Sequence, residues 1–490
     1  MTHTSLESPS ALHTQDSELS MRIARSLWAA DSTAASLQSF HSWFTGLRDS
    51  DASHVRRIDF DALTDWRFEA ATGNIVHDSG KFFSIEGLNV RATQGPTQHQ
   101  WSQPIISQPE IGLLGILVKE FDGTLHCLMQ AKMEPGNCNG LQLSPTVQAT
   151  RSNYTGVHGG KSVPYLDYFL DAPSQHVITD VLQSEQGSWF YRKRNRNIIV
   201  EVNEPVEVLE GFCWLSIGQL HELLSIDDLV NMDARTVLSC LPLSGAGLSK
   251  AHPFEGETFR SALVRSLSAD QGTLRTSRQV QNWITDARVH SEMDATPVGL
   301  GQIEGWRRSS DRISHEAGLF FDVMAVDVRA GSREVRSWTQ PMIEARNRGV
   351  VAFLTQRIEG VLHVLANVRA EPGLLDMVEV APTLQCTPED YQGMPAKARP
   401  PFMDEVLQAP RESIRFDTVL SEEGGRFFHT RNRYLIVEAD PARDLTAPAD
   451  FCWLTVHQLT DLIQHSHYVN IQARSLTACL HSLTLRPMGN

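Results

Sequence analysis

The amino-acid sequence predicts an α+β protein in which two similar halves each pack helices on a mixed β-sheet. The main observation is an internal repeat: residues 128–154 return as residues 365–391, with the same Glu-Pro-Gly turn and the same closing Tyr. The second observation is that helix-like and strand-like patterns follow in the same order in both halves. A repeat of half a chain indicates one structural unit that is used twice. The fold is therefore predicted to arise from an internal duplication.

Length and composition are typical of a globular protein. The chain has 490 residues, more than one hydrophobic core usually holds, and 41% of them are apolar and 21% charged. A net charge of −15 disfavours sequence-independent binding to duplex DNA. No apolar run reaches the ~18 residues that a membrane helix needs. We therefore expect neither nucleic acid nor a membrane as a partner.

The N-terminal segment and the cysteines indicate a cytoplasmic protein. Residues 1–20 are polar, rich in Ser and Thr, and without an apolar h-region, which predicts a disordered tail rather than a signal peptide. Seven cysteines are scattered without a Cys-x-x-Cys pair. An odd number of scattered thiols suits a reducing compartment.

The first half is predicted to begin with a helix and a hairpin. Apolar residues within 34–48 recur at helical spacing. Part of this pattern returns around Trp283, which lies 240 positions after Trp43. Residues 75–83, echoed by residues 313–321, place a Gly between β-type residues, which predicts a hairpin or a bulge.

Strands and loops are predicted to follow. Residues 81–90 and 114–121 have strand patterns, and an Asp-Gly turn follows the second of them. Residues 103–110 and their counterpart 340–346 are polar and interrupted by Pro. These two stretches are therefore predicted to be loops.

Each half is predicted to end in two helices. Ser216 in the first half and Thr455 in the second are each followed by a Gln three residues later, which forms a capping box. Asn231 and Asn470 are predicted to cap the next helix.

The chain is predicted to divide into a tail over residues 1–20, a first repeat, a connection and a second repeat. The first repeat covers residues 21–244 and the second covers residues 277–490. The connection covers residues 245–276, because Pro, Gly and Ser within 242–259 mark a linker.

Several long stretches carry a family resemblance across almost the whole chain after about Arg22. They are SGKFF (79–83), QPEIG (108–112), AKMEPGN (131–137), LSPTVQATRSNYT (143–155), GSWFYRKRNRN (187–197), VRAEPG (368–373), SEEGGRFFHTRNRYLIVE (421–438) and two FCWL segments. Together they resemble the NDP-hexose 2,3-dehydratase family of deoxysugar biosynthesis, and stretches of this length are far more specific than a short motif.

The resemblance implies a fold, an activity and partners. Each half would be Nudix-like, and the protein would be a homodimer. The activity would remove water across C2 and C3 of a TDP-4-keto-6-deoxyhexose, with TDP-4-keto-6-deoxyglucose as the expected substrate. A downstream NADPH-dependent 3-ketoreductase would capture the unstable 3,4-diketo product.

The sequence departs from the wider Nudix superfamily at its metal site. Diphosphate hydrolysis in that superfamily depends on an Arg-Glu-x-x-Glu-Glu helix that holds a divalent metal. The nearest stretches, residues 333–336 and 411–415, lack the later glutamates. Without clustered carboxylates there is no oxygen cage for Mg²⁺, so we expect no metal and no diphosphate hydrolysis. No cofactor is expected either, because the reaction needs none and no dinucleotide fingerprint is present.

A 2,3-dehydration needs a base for the C3 proton, a donor for the C4 oxyanion and an acid for the departing C2 hydroxyl. The candidate bases are Glu134, His77 and Tyr154, and Lys132 could polarise the C4 carbonyl. Each has a structural alternative. Glu134 could cap its turn, His77 could be a hydrogen-bonded structural histidine, Tyr154 could pack, and Lys132 could pair with a carboxylate.

A basic run near residue 194 is the candidate for binding the diphosphate, because guanidinium groups donate bidentately to phosphate. The alternative is a solvated strand end. The polar residues after residue 149 could reach the same ligand or form an Asx-type turn, and Trp189 could stack on thymine or belong to the core. The predicted nucleotide-binding residues are Gln148, Arg151, Asn153, Trp189, Arg192, Lys193, Arg194, Asn195 and Arg196.

The second half is less cationic at the matching positions. Arg151 corresponds to Pro388, and Lys193 corresponds to Thr430. We therefore expect the first half to hold the main site and the second half to be vestigial or structural. The residues that could still bind a nucleotide in the second half are Glu371, Gln385, Tyr391, Arg431, Asn432 and Arg433.

Two other functions compete with the lyase. A sugar-nucleotide sensor or scaffold would bind the ligand without turning it over. A nucleotide-sugar diphosphate hydrolase would need metal and would release a sugar phosphate. The presence of Lys132, Glu134 and His77 favours the lyase.

Overall fold

The computed structural model describes residues 9–29, 36–94, 97–151, 163–245, 248, 258–331, 337–395 and 398–485. The helices of the first half are α1 (Pro9–Trp28), α2 (Leu37–Ser50), α3 (Asp167–Leu170), α4 (Ile217–Leu223) and α5 (Met232–Ser239). Its strands are β1 (His54–Ile58), β2 (Trp66–Phe68), β3 (Ile75–His77), β4 (Ser84–Gln94), β5 (Thr97–Ser107), β6 (Gly112–Phe121), β7 (Thr124–Met133), β8 (Leu141–Ser144), β9 (Val147–Ala149), β10 (Val177–Ser184), β11 (Phe190–Tyr191), β12 (Arg194–Glu201) and β13 (Phe212–Ser216).

Helix α6 (Phe259–Ser266) lies in the connection between the halves. The helices of the second half are α7 (Ser277–Val289), α8 (Met403–Leu407), α9 (Val456–Ile463) and α10 (Ile471–Ser482). Its strands are β14 (Met293–Val298), β15 (Trp306–Arg308), β16 (Arg312–His315), β17 (Phe321–Arg329), β18 (Ser337–Ala345), β19 (Gly349–Ile358), β20 (Val361–Ala370), β21 (Val378–Ala381), β22 (Leu384–Cys386), β23 (Ile414–Ser421), β24 (Arg431–Glu438) and β25 (Phe451–Thr455).

A seven-stranded mixed sheet forms the centre of each half. In the first half the order is β10-β12-β6-β7-β13, with β8 beside β7 and β9 beside β6. The second half repeats this arrangement as β23-β24-β19-β20-β25, with β21 beside β20 and β22 beside β19. One pair in each sheet, β12 with β6 and β24 with β19, is parallel. The predicted α+β fold with duplicated mixed sheets is confirmed.

The smaller sheet of each half contains one strand from the other half. Strand β1, at the start of the first half, pairs antiparallel with β17 of the second half. Strand β14, at the start of the second half, pairs antiparallel with β4 of the first half. The halves are therefore interlocked, and the limits at residues 21–244 and 277–490 stay a prediction.

Helices α5 and α10 pack against each other at the centre of the molecule. Each carries a fully buried arginine, Arg235 and Arg474. Arg235 donates to the Val230 carbonyl at 2.6 Å and to the Ser421 carbonyl of the second half at 2.7 Å. Arg474 makes the mirrored pair of bonds. A buried guanidinium is costly unless it is hydrogen-bonded, so these bonds fix the two halves to each other.

Most of the predicted elements are confirmed. Helices α2 and α7 occupy the two stretches with helical spacing, and residues 75–83 form β3 and the turn of its hairpin with β4. Ser216 and Thr455 form capping boxes, and Asn231 and Asn470 cap α5 and α10.

The prediction of two Pro-containing loops is wrong. Residues 103–110 and 340–346 lie largely in strands β5 and β18. At Pro104 and Pro341 each strand is paired on one side only within the described residues. A missing N–H on the unpaired side removes no bond of the ladder, and so Pro is tolerated there.

The N-terminal segment also differs from its prediction. Helix α1 begins at Pro9, inside the stretch 1–20 that was expected to be a disordered tail. The helix continues to Trp28 because Ile23 and Leu27 are fully buried in the main core. Residues 1–8 lie outside the described residues. Among the described helices, none has the length and apolar character needed to cross a membrane.

Candidate active site

A cavity of about 560 Å³ lies in the first half, where the ends of β7, β9 and β10 approach helix α5. The second half closes one side of it with strand β18 and the loop between β23 and β24. Both halves therefore contribute to one site. The lining includes His77, Gln108, Lys132, Glu134, Gln148, Glu185, Lys193, Asn195, Asp233, Trp338, Gln340, Glu423 and Arg426.

Glu134 is held in the cavity wall by a chain of amide hydrogen bonds. It lies in the Glu-Pro-Gly turn after β7 and is 4% exposed. Gln148 Nε2 donates to Glu134 Oε1 at 2.7 Å, and Asn231 Nδ2 donates to Gln148 Oε1 at 3.1 Å. Lys132 Nζ donates to the Gln148 backbone carbonyl at 2.8 Å. The chain orients the carboxylate and keeps an ammonium group on the same wall.

Glu185, Asp233 and Glu423 bring three further carboxyl groups to the cavity. Glu185 Oε2, Asp233 Oδ1 and Glu423 Oε2 are enclosed and have no hydrogen-bond partner among the described residues. Burial is the main cause that raises the pKa of all three, and it raises the pKa of Glu423 to about 7. Neighbouring carboxylates raise the pKa of Asp233 further. These groups therefore hold protons at a higher pH than exposed acids do.

Lys193 and Arg426 supply positive charge. Lys193 is 6% exposed and donates to the Glu110 carbonyl. Burial lowers the pKa of Lys193 to about 8. The Arg426 guanidinium lies 4.1 Å from the centroid of the Phe83 ring. Cations and carboxyl groups that line one cavity suit both proton transfer and the binding of an anion.

His77 lines the same cavity from strand β3. Its Nδ1 lies 2.7 Å from Ser79 Oγ. Its ring centroid is 5.1 Å from that of Trp66 and 4.6 Å from that of Phe82. The structure thus brings together three of the four predicted catalytic residues, and the fourth, Tyr154, lies outside the described residues.

Three of the predicted nucleotide-binding residues also line the cavity, namely Gln148, Lys193 and Asn195. Asn195 accepts a hydrogen bond from the Gly112 amide at 3.1 Å and donates to Glu185 Oε1 at 2.6 Å. Its side chain therefore holds one oxygen of the Glu185 carboxylate and leaves the other without a partner.

The basic run does not gather on one ligand-facing surface. Side chains alternate between the two faces along β12, so neighbours in the run point in opposite directions. Arg196 forms an ion pair with Asp180 at 2.7 Å, and Arg192 is exposed, 5.1 Å from the centroid of its neighbour Tyr191. These two residues and Arg194 are not part of the cavity lining.

The remaining predicted residues lie at the edge of the site or beyond it. The centroid of the Trp189 ring lies 4.6 Å from that of the Phe427 ring, and Trp189 packs against a hydrophobic cluster. This position agrees with the alternative that Trp189 belongs to the core. Arg151 is exposed directly after Thr150, which lines the cavity. Asn153 lies outside the described residues. The roles of these residues in binding a nucleotide stay predictions.

The second half contains the same chain of amides. Asn470 Nδ2 donates to Gln385 Oε1 at 2.9 Å, and Gln385 Nε2 donates to Glu371 Oε1 at 2.9 Å. Arg369 replaces Lys132, and its Nε donates to Glu371 Oε1 at 3.2 Å. Two of the residues predicted to bind a nucleotide there, Glu371 and Gln385, are therefore in direct contact.

The other residues predicted for the second half are engaged by the protein itself. Tyr391 is half-buried against a hydrophobic cluster. The partners of Asn432, Arg431 and Arg433 are Glu422, Asp228 and Asp417, at 2.6, 3.2 and 2.6 Å. Their role in binding a nucleotide also stays a prediction.

The two halves differ in the ionisable residues of their sites. Lys193, Asp233, Glu423 and Arg426 of the first cavity correspond to Thr430, Gln472, Gln186 and Trp189. Gln186 Nε2 donates to Glu422 Oε2 at 2.9 Å. This pair of an amide and a carboxylate matches the two carboxyl groups of Glu423 and Glu185 in the first cavity. The second half thus keeps the orienting amides without the full set of titratable groups.

Sequence reasoning missed Glu185, Asp233 and Glu423. The first and third stand in the repeated Ser-Glu stretch directly before the basic run, and Asp233 stands two positions after the cap Asn231. A comparison of the two copies at these positions would have shown the difference in charge. No local pattern shows that a loop of the second half closes a cavity of the first.

The fold and the cavity define a class of protein: a duplicated α+β protein with one cavity suited to proton transfer. Within the described residues, no group of three or more His, Cys, Asp or Glu side chains is arranged to hold a metal ion. The model of the family described as NDP-hexose 2,3-dehydratase matches residues 37–241 and 277–480, one match in each half.

Curated relatives agree with this match. A dTDP-4-dehydro-6-deoxy-alpha-D-glucopyranose 2,3-dehydratase of Saccharopolyspora spinosa is 51% identical over 444 residues, which cover 91% of this chain and 91% of the relative. An enzyme of the same description from Amycolatopsis orientalis is 47% identical over 472 residues, which cover 96% and 95%. Another from Streptomyces violaceoruber is 47% identical over 448 residues, which cover 91% and 97%. The chain belongs to the NDP-hexose 2,3-dehydratase family of hydro-lyases, and the resemblance found in the sequence is confirmed.

Proposed function

We propose that this protein removes water from C2 and C3 of TDP-4-keto-6-deoxyglucose. The observation that carries the proposal is the cavity, which is lined by the oriented carboxylate of Glu134, the ammonium of Lys132 and three further acids that each have an enclosed oxygen without a partner among the described residues. Its volume of about 560 Å³ lies in the usual range of ~300–1,000 Å³ for small-molecule sites. The relatives named for this reaction support the choice of substrate.

The reaction proceeds in two proton-transfer steps and a tautomerisation. A base removes the C3 proton, which is acidic because C3 is next to the C4 carbonyl, and the electron pair passes to the C4 oxygen. The enolate then re-forms the carbonyl and expels the C2 hydroxyl, which leaves as water after it receives a proton. The resulting enol, with a double bond between C2 and C3, tautomerises to the 3,4-diketo-2,6-dideoxy sugar.

Glu134 is our candidate for the base. The hydrogen bond from Gln148 fixes its carboxylate at the cavity wall, and a fixed carboxylate is effective as a base only when it is oriented toward the proton. Lys132, on the same wall, is our candidate for stabilising negative charge on the C4 oxygen. His77 and Tyr154 remain the alternative bases, and His77 shares the cavity.

Lys193 and Arg426 are our candidates for contact with the diphosphate, because both line the cavity and carry positive charge. Gln148 and Asn195 add neutral donors to the same lining. Arg151, which follows the lining residue Thr150, would extend this set at the surface.

Deuterium uptake tests the function. The protein would be incubated with TDP-4-keto-6-deoxyglucose in D₂O with EDTA, together with an NADPH-dependent 3-ketoreductase that traps the product. We expect the trapped sugar to have lost one water and gained deuterium, as measured by mass spectrometry. Unchanged substrate that still protects the protein against heating would indicate a binding protein, and release of a sugar phosphate would indicate a hydrolase.

We further propose that the protein is a homodimer in the cytoplasm and that a ketoreductase consumes its product. All seven cysteines are free thiols, which supports a reducing compartment. The 3,4-diketo product is reactive, which supports a reductase as the next enzyme. Sedimentation of the purified protein would measure its oligomeric state.

A Nudix-like fold for each half is also proposed, and the mixed sheet packed with helices in each half supports it. The 411–415 stretch begins with a 3-10 turn over Arg411–Ser413 and continues into strand β23, so it is not the metal-binding helix of Nudix hydrolases. Residues 333–336 lie outside the described residues.

A further inference from the structure

We propose that Glu423, which belongs to the second half, is the catalytic acid that protonates the departing C2 hydroxyl in the cavity of the first half. The inference rests on the proposed function and adds to it the group that the second half supplies. The second half is then a required part of the active site.

Direct backbone contact places Glu423 in the cavity. The Gly136 amide, in the turn that carries Glu134, donates to the Gly424 carbonyl at 2.7 Å. A Cβ on Gly136 would lie 1.8 Å from the Phe427 carbonyl oxygen, and a Cβ on Gly424 would lie 2.9 Å from the Glu134 Cβ. Because only glycine permits this approach, the two glycines bring Glu423 next to Glu134.

Strand β18 of the second half supports the same loop. Trp338 Nε1 donates to Gln340 Oε1 at 2.8 Å, and Gln340 Nε2 donates to the Gly425 carbonyl at 2.7 Å. Both side chains line the cavity. The loop is therefore held from two sides, as the position of a catalytic group requires.

The Glu423 side chain is oriented with one oxygen unused. Oε1 accepts a hydrogen bond from the Gly425 amide at 3.0 Å. Oε2 is enclosed and has no partner among the described residues. An enclosed carboxylate oxygen is costly unless it carries a proton or meets a donor. A substrate hydroxyl in the cavity would meet this requirement.

The surroundings of Glu423 favour the protonated form. Burial and the nearby Glu134 raise the pKa of Glu423 to about 7, and Glu185 acts in the same direction. Glu134, by contrast, accepts a hydrogen bond from Gln148 Nε2 at 2.7 Å, whereas Glu423 Oε2 has no partner among the described residues. Two carboxyl groups in different environments can therefore divide the roles of acid and base.

The site of the second half provides an internal comparison. Gln186 stands at the position that matches Glu423, and it donates an amide hydrogen bond to Glu422. A Gln side chain has no proton to transfer at neutral pH. The site of the second half, to which the first half contributes Gln186, therefore lacks this acid, although it retains Glu371 with its orienting Gln385.

The proton balance is complete without a further reactant. Glu134 gains the C3 proton, and Glu423 gives its proton to the C2 oxygen as the C2–O bond breaks. The electron pair of the enolate forms the C2–C3 double bond, and water leaves. Transfer of one proton from Glu134 to Glu423, directly or through water, restores the starting state.

The test is Glu423→Gln in the full-length chain, which places at this position the residue that the first half has at the matching position, Gln186. We expect dehydration of TDP-4-keto-6-deoxyglucose to fall by about 10²–10⁴-fold. Exchange of the C3 proton with D₂O should stay well above the rate without enzyme, because the base is intact. The 2-deoxy-2-fluoro analogue should still lose fluoride at nearly the wild-type rate, because fluoride leaves without a proton.

Two further variants separate this role from a structural one. Glu379→Gln removes a fully buried carboxyl group whose pKa burial likewise raises to about 7, and Gln142 stands at the matching position of the first half. Glu379 is not part of the cavity lining, so this variant should keep its activity. Glu423→Asp retains a protonatable group, and it should recover part of the activity that Glu423→Gln loses.

The outcomes are distinct. Near-normal dehydration by Glu423→Gln would overturn the inference, and so would loss of C3 exchange and of fluoride release in a variant that binds substrate with unchanged affinity. Failure of the wild-type protein to release water from the substrate would instead refute the proposed function.

Discussion

Asp233 lies in the first turn of helix α5, and one of its carboxylate oxygens is enclosed without a partner. A helix N-terminus favours negative charge by ~0.3–2 kcal/mol. Burial and the nearby carboxylates Glu185, Glu423 and Glu134 outweigh that effect, because together they raise the pKa of Asp233 well above its ordinary value. These surroundings therefore disfavour the ionised form of the Asp233 side chain in the folded protein.

We expect Asp233→Asn to stabilise the protein at pH 8 by about 1–3 kcal/mol, the usual cost of an unsatisfied buried polar group. A raised pKa in the folded state means that stability is fully present below the unfolded pKa and is lost as the pH rises toward the folded pKa. The gain should therefore disappear near pH 4. Gln472 at the matching position shows that an amide fits in this fold. Urea unfolding at both pH values measures the difference, and dehydratase activity should fall.

A lower stability of Asp233→Asn than of the wild type at pH 8 would contradict this account. Asp233 could not be recognised as a site residue from the sequence around it. Glu134, Lys132 and His77 stand in stretches that suggest chemistry by themselves, whereas Asp233 gains its importance only from the groups that tertiary structure places around it.

Helices α5 and α10 begin with asparagines that act as both cap and positioning group. Asn231 Oδ1 accepts from the Ala234 amide at 2.8 Å, and its Nδ2 donates to Gln148. Asn470 makes the same two contacts in the second half, with the Ala473 amide at 2.9 Å. Each asparagine therefore links the start of its helix to a glutamine that holds a carboxylate, Glu134 in the first half and Glu371 in the second.

We expect Asn231→Ala and Asn470→Ala to destabilise the protein by similar amounts, about 0.5–2 kcal/mol each, because each loses one cap. Only Asn231→Ala should also slow dehydration, because only that asparagine orients Gln148 and, through it, Glu134. Thermal unfolding and steady-state kinetics of the two variants provide the comparison. An equal loss of activity in both variants would show that the second half contributes more to the chemistry than the loop that carries Glu423.

The elements could be predicted from the sequence to the extent that their signals are local. Capping boxes, the two Asn caps and the Asp-Gly turn depend on residues a few positions apart, and these predictions are confirmed. The edge position of Pro104 depends on which strands lie beside β5, and the closure of the cavity by Glu423 depends on how the halves dock. Contacts between distant parts of the chain leave no periodic pattern in the sequence, and so these features could not be predicted.

The whole molecule is held together by reciprocal contacts between its halves. Strands β1 and β14 each complete the small sheet of the other half. The buried Arg235 and Arg474 each donate to a carbonyl across the interface. Either half by itself would lack one strand and would leave buried polar groups without partners.

We expect residues 1–250 and 251–490, expressed separately, to lack cooperative unfolding and to aggregate. Co-expressed, the two pieces should purify as a stable one-to-one complex with dehydratase activity, because the cut falls in the connection and leaves the described contacts intact. Circular dichroism, size-exclusion chromatography and kinetics would measure these properties against the uncut chain. A first half that folds alone and binds the nucleotide would contradict the interlocked arrangement.

The exchange of β1 and β14 also bears on ancestry. A single-copy ancestor with this arrangement could not complete its small sheet alone, and it would have to lend its first strand to a second copy of itself. Such an ancestor would be a two-fold symmetric dimer with two identical sites, each closed by a loop of its neighbour. After fusion of the two genes, the two copies would no longer have to share one sequence. One site could then keep Lys193, Asp233 and Glu423, while the other accumulated Thr430, Gln472 and Gln186 and remained as scaffold.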